Sequence, residues 1–146
     1  MSRMKGSFVL MIVGFILSVF VTNVTGEDLI KFSDDNTGDL WFYDKDNVER
    51  SSGRVKVWVT HVYGKESKNN MVEIYHNFAD PPKNLENLTS NKSLEEIDCK
   101  LARHRILTRT DYDKDGNGIF TINKPSKFRD IPPRSNIERL KNILCK

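Results

Sequence analysis

The sequence predicts an α+β domain: an antiparallel β-sheet of about six strands in a meander, with a C-terminal α-helix packed on one face and tethered by a disulfide. Three observations carry that expectation. Arg54 to Tyr63 alternates, with Val55, Val57, Val59 and Tyr63 on one face and Lys56, Trp58 and Thr60 on the other. Leu94 to Leu101 alternates again, setting Ile97, Cys99 and Leu101 against Glu96, Asp98 and Lys100. The end of the chain then changes period: Ile137, Leu140 and Leu144 fall at helical spacing, with Ile143 beside them.

Taken in order, the chain opens with Arg3 and Lys5, then an uncharged apolar run of 14 residues, Phe8 to Val21. That run fits the ~7–15 residues of a signal h-region and falls short of the ~20 that cross a bilayer. Val24 and Gly26 are small enough for the −3 and −1 positions, so cleavage after Gly26 is expected, leaving residues 27–146 as the mature domain. The alternative, an uncleaved membrane anchor, is weakened by Gly14, Ser18 and Thr22. Leu29 to Phe32 is a short strand before the turn cluster Asp34-Asp35-Asn36-Thr37-Gly38. Asp39 to Tyr43 is the next strand, and Ser51-Ser52-Gly53 turns the chain into Arg54 to Tyr63.

Lys65 to Asn70 reads as a polar loop, and Met71 to Phe78 fits either a helix or a strand until Asp80-Pro81-Pro82 ends it. Ala102 to Tyr112 is a strand with Arg103, Arg105 and Arg109 opposite His104, Ile106 and Thr108. Asp113 to Gly118 is a turn and Ile119 to Ile122 the last strand. Pro132-Pro133 stops the extended chain, and Ser135-Asn136-Ile137-Glu138 forms a capping box, Ser135 as N-cap and Glu138 at N3.

Export sets how the cysteines are read. Both Cys99 and Cys145 lie in the mature part, and an even count in an oxidising compartment argues for a disulfide. Closing such a loop stabilises a fold by roughly 4 kcal/mol in the chain-entropy model. Free thiols or soft metal ligands remain the alternative, without the close C-x-x-C spacing that such sites favour. Cys145 follows Ile137 by eight residues, near the same side of the helix, while Cys99 alternates inward on its strand. The two periodicities therefore agree on one crosslink between helix and sheet.

Charge excludes one class of partner. Arg3 and Lys5 leave with the signal, so 21 of the 23 basic residues remain against 20 acidic ones, a net +1. A nucleic-acid binder needs a clear basic excess. Asp113, Asp115 and Asn117, with Gly116 between them, match the oxygen ligands and glycine that open a calcium-binding EF-hand loop. Position 12, where a bidentate glutamate belongs, is Lys124, and moving the start to Asp111 puts Ile122 there. A hairpin turn rich in Asp-Gly and Asn-Gly is the simpler reading, so no metal and no cofactor is expected.

His61, His76 and His104 stand in no catalytic motif, and strand or surface histidines are expected. Glu95 and Glu96, adjacent on a strand, point to opposite faces and cannot act as an acid/base couple. Arg103, Arg105 and Arg109 form a basic stripe that suits a protein or anionic macromolecule, or a solvated sheet face. Asn87-Leu88-Thr89 and Asn91-Lys92-Ser93 are sequons with meaning only in a eukaryotic secretory pathway.

The order of short motifs resembles the bacterial surface-adhesin protein E family. Those motifs are GDLWFYDKD (Gly38 to Asp46), RVKVWVTHVY, SLEEIDCKLARHRILTRTDYDKDGNG and IPPRSNIERLKNILCK. The resemblance spans Asp28 to Lys146 and implies an antiparallel sheet with a disulfide-tethered C-terminal helix. It implies binding of host extracellular-matrix and serum proteins, carried by no matched residue, because the matched motifs are structural. Leu29-Ile30 stands where such domains often have a tryptophan, and Phe128 where one is expected before Ile131-Pro132-Pro133. The family's adhesins are lipid-anchored, whereas no lipobox cysteine follows the h-region here, which leaves periplasm, surface and medium open. The expected function is an exported, non-catalytic binding module whose oligomeric state is open, a homodimer included. The alternative is a small exported enzyme or calcium-binding protein with an unrecognised site.

Overall fold

The computed structural model describes residues 28–146, so the expected signal peptide and its cleavage after Gly26 lie outside the described residues. Eight strands form one antiparallel sheet: β1 (Leu29–Asp34), β2 (Leu40–Asp44), β3 (Glu49–Ser51), β4 (Arg54–Val62), β5 (Leu88–Asp98), β6 (Arg103–Asp113), β7 (Gly118–Ile122) and β8 (Arg129–Asp130). The order across the sheet is β1-β2-β4-β5-β6-β7, a meander six strands wide. The other two strands share edges already in use: β3 pairs with β4 beside β2, and β8 pairs with β6 beside β7. They have three and two residues, too short for an alternation pattern to announce them.

Two helices lie on the inner face. The C-terminal helix α2 (Asn136–Leu144) buries Leu140 and Leu144 against Tyr43, Val55, Val57, Val59 and Ile97. Those strand residues alternate inward because successive side chains of a strand point to opposite faces. Ser135 caps α2 by accepting from the Glu138 amide at 3.2 Å. The reciprocal bond of the box lands one residue early, on the Arg134 amide, which donates to Glu138 at 2.6 Å. The disulfide joins Cys99 to Cys145, with Cα atoms 5.5 Å apart.

The other helix, α1 (Lys65–His76), corrects one expectation and decides another. Lys65 to Asn70 is its first half rather than a loop, and of the two readings open for Met71 to Phe78 the helix holds, as far as His76. Its sequence hides the period because only Tyr75 is buried, so most of its surface is polar. Tyr75 packs edge-on against Phe78 and Phe120, fixing α1 to the β7 end of the sheet.

The strand expected from Leu94 to Leu101 begins earlier and ends earlier. The sequon Asn91-Lys92-Ser93 lies within β5, Asn87 ends a 3-10 turn (Leu85–Asn87) just before it, and Cys99 to Ala102 forms the turn into β6. Leu101 therefore does not point inward; it is 60% exposed at the turn. Asp98 holds that turn by accepting from the Lys100 and Leu101 amides. Cys99 reaches Cys145 from the turn rather than from the strand.

Candidate functional site

A bulge in β6 decides which side chains meet. Glu95 pairs with Ile106 and Leu94 with Thr108, leaving Leu107 without a partner. One extra residue reverses the parity of everything after it. Arg103 and Arg105 therefore stay on the outer face, while Arg109 turns to the inner face beside Ser93. The expected three-arginine stripe is thus split between two sites.

The inner site is a cavity of about 510 Å³ over the sheet between α1 and α2. Val59, His61, Asn91, Ser93, Glu95 and Ile106 line it from β4, β5 and β6. Trp41 and Asp39 come from the start of β2, Met71 and Ser67 from α1, and Ile137 and Leu140 from α2. Trp41 and His61 stack with ring centroids 3.7 Å apart, because β2 and β4 pair these two residues directly.

Asp39 ties β2 to α1. Its carboxylate accepts from the Gly64 amide and from the Ser67 hydroxyl, and lies 3.3 Å from His61 Nε2. Gly64 sits so close to the β1–β2 turn that an added Cβ would lie 2.1 Å from the Thr37 carbonyl oxygen. Burial pushes the His61 imidazole below its ordinary pKa; the Asp39 charge opposes this without reversing it.

At the α1 end, buried Asp111 gathers three donors. The Tyr63 hydroxyl donates to it at 2.7 Å, the Tyr75 hydroxyl at 2.5 Å, and Arg109 donates through Nη2 at 2.8 Å. Desolvation raises the pKa of both tyrosines, so both remain neutral donors. Burial alone would lower that of Arg109, but its bond to Asp111 and the neighbouring Tyr63 and Asp111 keep it above its ordinary value.

On β5, Ser93 donates to Glu95 Oε1 at 3.0 Å, and His104 Nδ1 stands 3.5 Å from Glu95 Oε2. Glu96 points outward, where Arg105 donates to it at 2.5 Å.

The outer face carries a different chemistry. The guanidiniums of Arg105, Arg54 and Arg103 lie 4.5, 5.1 and 5.9 Å from the centroid of the Phe128 ring. Arg54 and Arg103 also face Asp98 and Asp130, at 3.7 and 3.5 Å. Farther along the same face the Lys92 ammonium lies 5.2 Å from the Trp58 ring centroid. Both described helices pack on the opposite side of the sheet.

Asp113, Asp115 and Asn117 occupy the β6–β7 turn. Asp113 Oδ1 accepts from the Asp115 and Asn117 amides at 2.9 and 2.8 Å, and Lys114 pairs with Asp115. The Asn117 side chain and these amides hold the Asp113 carboxyl below its usual range, and Gly116 supplies the positive φ, +82°.

Sequence reasoning did not assemble the inner cavity. The signal it held was the set of polar residues at inward strand positions: His61, Asn91, Ser93 and Glu95 interrupt faces that are otherwise apolar. His61 and His104 are strand residues, as expected, and both face the cavity, with Asp39 3.3 Å from His61 Nε2 and Glu95 3.5 Å from His104 Nδ1.

An antiparallel sheet with helices on one side, an open cation–aromatic face on the other and a helix–sheet disulfide defines a small disulfide-stapled α+β domain. The surface-adhesin protein E family model matches residues 29–146, and the chain belongs to that family. No curated protein matches it. Membership points to an extracellular or surface setting, and among the described residues no helix is long and apolar enough to cross a membrane.

Proposed function

We propose that the protein is an exported, non-catalytic binding module that engages a host or envelope macromolecule through the outer face of its sheet. The carrying observation is the Arg54–Arg103–Arg105 cluster on Phe128, continued by Trp58 and Lys92 on a face that neither described helix covers. Arginine and aromatic side chains supply large, rigid contact area and are enriched at protein interfaces. The paired acids Glu96 and Asp98 limit the net charge of this face, which suits a mixed protein surface better than a polyanion. Family membership supports the same reading and an extracytoplasmic location, periplasmic or secreted.

The test uses residues 27–146 purified from an oxidising compartment and flowed over immobilised extracellular-matrix and serum proteins. Trp58→Ala combined with Arg103→Ala is expected to weaken any saturable binding at least tenfold, whereas Lys114→Ala, in the distant turn, leaves it unchanged. Binding insensitive to the double variant, with circular dichroism unaltered, would place the interface elsewhere.

A further inference from the structure

The cavity on the inner face holds an unusual concentration of unmet hydrogen-bonding capacity. Among the described residues Trp41 Nε1 is buried in this cavity with no partner, while His61 Nε2 is met by Asp39 at 3.3 Å and Glu95 Oε2 and His104 Nδ1 meet each other at a long 3.5 Å. Native proteins leave few buried polar atoms so weakly met, and the cavity has room for an occupant that would meet them. The side chains of His61 and Glu95 are 9% and 11% exposed.

The charges say which end of a ligand goes where. Arg109 is already committed to Asp111, so it does not neutralise the rest of the cavity. That leaves the carboxylates of Asp39 and Glu95 facing His61, which burial keeps neutral near pH 7, and His104, whose contact satisfies neither partner. Glu95 Oε2 can only accept when ionised, and Trp41 Nε1 can only donate. A matching ligand therefore brings a donor, favourably cationic, to Glu95 and an oxygen acceptor to Trp41. Val59, Ile106, Ile137 and Leu140 give it apolar walls between those points.

We propose that this cavity binds a small primary amine that also carries an oxygen acceptor, as an amino acid or an amino-acid amide does, with Glu95 holding the ammonium and Trp41 Nε1 the oxygen. The site lies on the opposite side of the sheet from the proposed macromolecular interface, and the two readings stand or fall separately.

Calorimetry and thermal shift with leucinamide and phenylalaninamide as probes, each beside its N-acetyl derivative, test this in the protein of residues 27–146. The free amines are expected to bind and raise the melting temperature, and N-acetylation to weaken binding at least tenfold. Glu95→Gln should do the same, while Trp41→Phe, which keeps the ring and removes the donor, should cost several-fold. The Trp58→Ala, Arg103→Ala variant should bind the amines normally, which separates failure here from failure of the outer face. No binding by either amine at about 10 mM, tenfold above a Kd of 1 mM, or equal binding of the acetylated probes, overturns the proposal. So does amine binding that survives both cavity substitutions. Should Glu95→Gln fail to fold, Trp41→Phe and the N-acetyl comparison decide.

Discussion

Asp111 is the residue on which the α1 end of the molecule depends. It is fully buried, and it alone gives Arg109, Tyr63 and Tyr75 a common acceptor. Truncating one partner of a buried ion pair leaves the other charge uncompensated. Asp111→Ala is therefore expected to destabilise the protein by about 3–5 kcal/mol, read as a lowered urea midpoint. A loss under 1 kcal/mol would mean that Arg109 finds another acceptor. His61 makes a prediction of the opposite kind, about pH. Its imidazole is harder to protonate in the fold than in the unfolded chain, whose ordinary value is 6.5. The unfolded state thus takes up a proton first as pH falls, and stability contributed by this group is present above pH 6.5 and lost below it, until the folded pKa is passed. Melting curves across that window should show the fall in the wild type and a weaker one in His61→Gln. Identical slopes would assign the pH dependence to other groups.

Among the elements, α2 has the clearest fate. Leu140 and Leu144 hold it to the sheet, and the Cys99–Cys145 bond pins its far end. Cys145→Ser is expected to cost about 2–5 kcal/mol. Hydrogen exchange should show the Ile137 to Leu144 amides losing protection before those of Val55 to Val59; simultaneous loss would make helix and sheet one cooperative unit. How well each element could be read in advance follows from its burial. β4 was legible because one face is valine at every second position, and α2 because its cap, apolar spacing and cysteine all agree. α1 was not, since a helix that buries one residue leaves no apolar stripe to detect. The β6 bulge was equally hidden: a register shift depends on the partner strand, and Arg109 changed faces for a reason that its own strand does not contain.

At the scale of the whole molecule, the sheet separates two chemistries. The six-strand-wide architecture with its terminal helix was readable, because strand alternation and helical spacing are local patterns. The inner cavity was not, because it draws Asp39, Trp41, His61, Glu95, Ile106 and Ile137 from five separate elements or their edges. Only tertiary register brings these together. The outer arginines were half legible: Arg103 and Arg105 lie as the alternation placed them, while Arg54 joined them through Phe128, a residue from the segment between β7 and β8.

The crosslink between Cys99 and Cys145 ties this geometry to its surroundings. One wall of the cavity is Ile137 and Leu140, which belong to the helix that the bond secures. Without the bond this wall is expected to loosen, and leucinamide binding measured before and after reduction would show the difference. An oxidising setting thereby favours the finished cavity, and a reducing one works against it.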